Sequence, residues 1–140
     1  YERVRERAIP GAHHDDPTWS VRLRAPSHAA DLRAALLHAL DHRSSYMWAW
    51  ELPPHSIAHG ILDDETYDWF AIVEGMLESG GWPVVVDEAT LAQARDQAQA
   101  AGVKADPTGA ASLAGLLALR RVRWCGVDER VVVLLTGVER

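Results

Sequence analysis

The chain has 140 residues, 48% of them hydrophobic and 24% charged, a size and balance that indicate an ordered globular protein and exclude intrinsic disorder. A formal charge of −6, with acids spread along the chain, leaves no basic face for nucleic-acid phosphates, and the apolar runs are far shorter than the roughly 20 residues that span a bilayer. The one cysteine, Cys125, excludes an intrachain disulfide framework, and with no signal-peptide pattern the composition points to the cytoplasm.

Residues 1–26 carry arginines, prolines and His13-His14-Asp15-Asp16 with no sustained period, which predicts an irregular connector around a short strand at Val21-Arg22-Leu23. From Ser27, Leu32, Ala35, Leu36, Ala39 and Leu40 follow the spacing of one helical face, which predicts a helix. Tyr46, Trp48 and Trp50 alternate with Met47 and Ala49 ahead of Pro53-Pro54, the pattern of a short strand leading into a loop. Asp63 or Asp64 then caps a helix whose stripe is Trp69, Ile72, Val73, Met76 and Leu77, and Gly80-Gly81 supplies a left-handed exit.

Residues 83–86 form an apolar strand, Asp87 caps a helix over 89–101, and Gly102 ends it. Thr108 caps a small-residue helix through Leu119, and the all-apolar run 131–135 stops at Thr136-Gly137. Strands alternating with helices predict an α/β class with a mostly parallel sheet flanked by helices. A buried parallel strand that delivers a hydroxyl at its carboxyl end, here Thr136, is how open α/β sheets build ligand sites.

Segments in the second half carry a family resemblance: Ser56-Ile57-Ala58-His59-Gly60-Ile61-Leu62, then Pro83-Val84-Val85-Val86-Asp87 and its helix, then Asp106-Pro107-Thr108-Gly109-Ala110-Ala111, and last Val132-Val133-Leu134-Leu135-Thr136-Gly137. In this order they resemble the C-terminal end of fold-type II pyridoxal-phosphate enzymes, the threonine synthase and threonine/serine dehydratase group of the tryptophan synthase β superfamily. The resemblance implies a three-layer fold, with residues 27–140 forming the C-terminal part of the large cofactor-binding domain. It also implies that Thr136, just before Gly137, meets the pyridine nitrogen of pyridoxal 5'-phosphate and that Asp106, where the family usually has glutamate, lies near the cofactor ring. His59 stands where the family favours aspartate and is assigned no catalytic role.

Such enzymes hold the cofactor aldehyde on a lysine and its phosphate in a glycine-rich loop, both N-terminal to the region matched here. Thirteen of the fourteen basic residues are arginine, and the sole lysine, Lys104, sits at a helix exit where a solvated surface role is expected. The expectation is therefore a fragment or one chain of a split lyase or synthase, acting on a small amino acid, inactive alone and dimeric when complete. The rival reading is a non-catalytic α/β binding or assembly module that retains the fold. Its partners would then be something other than the lysine-bearing part.

Remaining signals have plainer readings. His55 and His59 are four apart but lack the glutamate of a zinc-protease helix, and His13-His14 with Asp15-Asp16 reads as a solvated turn because adjacent side chains diverge, so no metal site is expected. The acids Asp63-Asp64-Glu65 suit a helix N-terminus, and Cys125 reads as a passive thiol. The aromatic residues around Trp48, Trp50 and Trp69 are expected to pack in a core rather than line a substrate pocket.

Overall fold

A computed structural model describes residues 1–16, 18–64 and 66–138. The regular elements among them are helical: α1 (Glu2–Ala8), α2 (Trp19–Leu23), α3 (Ala29–Asp41), α4 (Trp69–Ser79), α5 (Glu88–Ala100) and α6 (Ala111–Arg121), with single 3-10 turns at Pro26–His28, Arg43–Ser45 and His59–Ile61. Among the described residues no helix is long and apolar enough to cross a membrane. The chain divides into two units, Tyr1–Trp50 with Asp64–Pro83, and Glu51–Asp63 with Val84–Arg140.

In the first unit the core is built from large side chains. Val4 and Ala8 of α1, Trp19 and Leu23 of α2, Leu32, Ala35, Leu36 and Ala39 of α3, and Val73 and Leu77 of α4 form one buried cluster. Each set falls at i, i+3 or i+4, so each helix buries one face. The same spacing explains α2, where a strand at Val21-Arg22-Leu23 was expected: Trp19 and Leu23, four apart, are both buried, whereas Val21 is exposed. Arg5 of α1 is buried too, and its charge is met by Glu2, with Glu6 3.9 Å away.

The exit of α4 shows why glycine stands there. Gly80 is the C-cap in the left-handed region at φ 76°, and its amide donates back to Leu77 O. A Cβ on Gly80 would lie 2.6 Å from Ser20 Cβ. This close approach puts Gly80 O within 3.1 Å of the Trp19 indole N–H, which donates to it, while the Tyr1 hydroxyl donates to Gly81 O at 2.7 Å. Burial, and after it the neighbouring Glu2 carboxylate, pushes the Tyr1 hydroxyl well above its usual range, so it stays a donor.

The second unit packs α5 against α6 through small side chains: Ala58, Leu91, Ala94, Ala98, Ala105, Ala110 and Ala114 are its buried cluster. Alanine at facing positions allows close helix approach, at the cost of little apolar area per residue. The Asp87 carboxylate caps α5 by accepting from Thr90 N at 2.7 Å, and Arg121 near the end of α6 donates to Thr90 Oγ1 at 2.6 Å. Hydrogen bonds from the Thr90 hydroxyl and then its amide hold Asp87 below the usual carboxylate range.

The α/β expectation is overturned: the described residues hold helices and no strand or sheet. A strand exists only as part of a ladder, because its N–H and C=O groups must be taken by a neighbour. Residues 83–86 and 131–135 have the β-branched composition of strands but no ladder partner among the described residues. Val85 and Val132 stand 92% and 87% exposed, while Val86 and Leu135 pack on the α5–α6 cluster. Trp48 and Trp50, expected in a strand, are exposed in irregular chain after the Arg43–Ser45 turn. Helix α4 begins at Trp69 with Asp68 as N-cap, rather than at Asp63 or Asp64, and Glu65 of that acidic group lies outside the described residues.

Candidate functional site

The segments that carry the family resemblance fall in the second unit, Pro83 excepted, and hydrogen bonds link several of them. Ile57 N donates to Glu88 Oε2 at 2.9 Å, which joins the stretch 56–62 to the start of α5 and, with the Ser56 hydroxyl, holds the Glu88 carboxyl below its usual range. Gly60 N donates to Thr108 Oγ1 at 3.1 Å, which joins the same stretch to the loop before α6. Thr108, expected to cap α6, therefore serves another segment; Ala110 is the N-cap and offers no side-chain bond.

The loop before α6 is instead turned by Asp106. Its Oδ1 accepts from Gly109 N, three residues on, at 2.6 Å, and its carbonyl accepts from Ala110 N at 2.9 Å, so one residue closes the turn with both acceptors. Against this turn lies Gly137. A Cβ added there would collide with Asp106 Oδ1 and come 2.8 Å from Gly109 N, and a Cβ on Gly109 would collide with the backbone of Gly137. Two glycines are thus required face to face, and the terminal run passes directly over the Asp106 turn. The Ser112 hydroxyl of α6 also donates to Leu134 O.

Of the residues singled out from the sequence, Asp106 and Gly137 are brought into contact, and Thr136 stands beside them on the same backbone. Thr136 is exposed, and among the described residues its hydroxyl takes part in no hydrogen bond. Gly109 and Thr108, quoted in a motif but not assigned to a site, turn out to build it; their signal was a glycine and a hydroxyl directly after Asp106-Pro107. Lys104 is exposed, as are His55 and His59. Cys125 is buried, with Sγ 3.7 Å from Glu129 Oε2.

In the first unit, Tyr46 and Trp69 border a cavity of about 220 Å³ with Tyr1, Ile72 and Met76. Trp69 packs on the core, as expected, whereas Trp48, Trp50 and Tyr67 are exposed.

No protein-family model matches the chain, and no solved structure matches it. It is 35% identical over 85 residues to threonine synthase from Methanosarcina acetivorans; the matched stretch is 60% of this chain and 21% of that relative. The chain thus spans about a fifth of the length of the curated relative it matches.

Proposed function

We propose that the chain is the C-terminal portion of a pyridoxal-phosphate-dependent lyase or synthase of the threonine synthase kind, acting on a small amino acid or its phosphorylated derivative. The observation that carries this reading is the seating of Gly137 on the Asp106–Gly109 turn, beside which the Thr136 hydroxyl has no hydrogen-bond partner among the described residues. A free hydroxyl on a backbone fixed by glycine-to-glycine contact fits a ring nitrogen, so the residues present suit that end of the cofactor.

When bound, the cofactor supplies an electron sink for chemistry at the amino acid. Thr136 gives the ring nitrogen a neutral partner, which cannot hold it protonated as a carboxylate would and so favours eliminations and replacements along the side chain. Asp106 is spent on Gly109 N–H and acts by positioning the turn. The lysine that holds the cofactor aldehyde, and the phosphate loop, belong to a further part of the protein. The match to about a fifth of a longer relative supports this, as do the exposed valines of 84–85 and 131–132, an apolar surface that such a part would cover. On this reading the chain alone does not catalyse, and the complete enzyme is a cytoplasmic homodimer.

The near-visible absorbance of the protein purified with all its associated chains, before and after borohydride reduction, tests this. A band that reduction abolishes is expected. No band even with added pyridoxal phosphate would overturn the reading and favour a non-catalytic binding module.

A further inference from the structure

In the first unit, the chain between α1 and α2 brings together three side chains that the proposed function does not use. The ligating atoms of His13, His14 and Asp15 all lie within 4.8 Å of one another. His13 Nδ1 is 3.1 Å from Asp15 Oδ2, and His14 Nε2 is 3.7 Å from Asp15 Oδ1. Donors about 2.0–2.1 Å from a tetrahedral ion stand roughly 3.3 Å apart, so the first separation is near that of ligands sharing one ion, while the second, to the other oxygen of the carboxylate, would shorten slightly on binding.

Adjacent side chains usually diverge, which is why the sequence pattern predicts a solvated turn here. Here the turn 13–16, closed by Asp16 N donating to His13 O at 3.0 Å, folds the two imidazoles together with ring centroids 4.2 Å apart. His14 is also stacked on Trp82, at 5.2 Å and 8° between ring planes, which fixes its orientation. The long contact from Asp15 N to His13 Nδ1, at 3.3 Å, is one that ligation by Nδ1 would replace. Asp16 is not available as a fourth ligand, since it is engaged by Thr18 and Arg22.

We propose that His13, His14 and Asp15 form a binding site for a divalent transition-metal ion of the zinc class, with solvent in the remaining coordination position. Two imidazoles and one carboxylate suit zinc, nickel and copper over magnesium or calcium, which prefer all-oxygen shells. The exposure of His13 and Asp15 leaves the open side to water.

The test is calorimetric titration of tag-free protein with zinc chloride, together with Trp fluorescence during nickel titration. One equivalent of zinc is expected to bind at micromolar concentrations. His14→Gln and Asp15→Asn, checked for unchanged far-ultraviolet dichroism, are expected to weaken binding by more than the roughly 10- to 100-fold cost of losing an outer-shell partner. Nickel is expected to quench the protein, and Trp82→Phe to remove that quenching while zinc still binds. The double variant His38→Gln, His42→Gln removes the other stacked histidine pair and is expected to bind as the parent does. Absence of stoichiometric binding, or binding lost in the His38/His42 variant and kept in the other two, would overturn the proposal.

Discussion

The two units solve folding with different materials. The first buries Leu23, Leu77, Val4 and Trp19 almost completely and ties distant segments together through the Trp19 indole and the Tyr1 hydroxyl. The second has a core made mainly of alanines, leaves its two valine-rich runs largely in solvent, and uses glycine to bring backbones into contact. Large side chains supply stabilising area, whereas small ones supply proximity. The unit that carries the site residues is the one that favours proximity, and its exposed apolar surface remains available for further chain.

The first unit depends most on Trp19. Trp19→Ala removes the largest side chain of the first core and is expected to cost about 3–5 kcal/mol, read as a lower midpoint in urea denaturation. The milder Trp19→Phe, which keeps an aromatic ring and loses the bond to Gly80 O, sharpens the result with an expected loss smaller than that of the alanine variant. Equal losses in the two variants would mean that the hydrogen bond, rather than buried area, holds the first unit.

Gly137→Ala probes the second unit. The added methyl meets Asp106 Oδ1 and the Gly109 amide, so overpacking of about 1–3 kcal/mol is expected. The same variant should lower cofactor affinity in the complete protein, while Gly115→Ala, inside α6 where an added Cβ meets nothing within 4 Å, should leave that affinity unchanged and raise stability slightly through helix propensity. A Gly137 variant as stable as the parent would remove the glycine contact from the account.

The smallest effect is expected at the cap of α5. Asp87→Ala removes the acceptor for Thr90 N and should lower the thermal midpoint slightly at pH 7. Because hydrogen bonds to Thr90 depress the folded-state pKa of Asp87 below 3.8, its contribution is full above that value and is lost as pH falls through the folded pKa. Parent and variant should therefore differ at pH 7 and converge in strong acid, a pattern that paired melts at the two pH values would check.

Helices α3, α4 and α5 were legible because their signals are local: a periodic apolar stripe, the Asp87 cap, and glycines at φ 76° directly after α4 and at φ 82° two residues after α5. The strands failed for the opposite reason. Residues 83–86 and 131–135 have strand composition, but a ladder is a property of two segments, and propensity cannot supply the second. Helix α1 escaped notice because Arg3, Arg5 and Arg7 mask the Val4–Ala8 face, and α2 because one exposed valine outweighed the Trp19–Leu23 pair. At the site, Asp106, Thr136 and Gly137 were singled out through the resemblance. The Gly60–Thr108 bond and the Gly109–Gly137 contact are long-range and became visible only with the fold.

On the proposed reading, the Gly137 contact presents the Thr136 hydroxyl to the cofactor's ring nitrogen. The most direct test is the visible absorbance spectrum of the complete protein with pyridoxal phosphate, parent against Thr136→Asp. A carboxylate at that position would hold the ring nitrogen protonated, so the account predicts a shifted spectrum and a changed partition between elimination and competing reactions. An unchanged spectrum with unchanged kinetics would place Thr136 away from the ring and contradict the account.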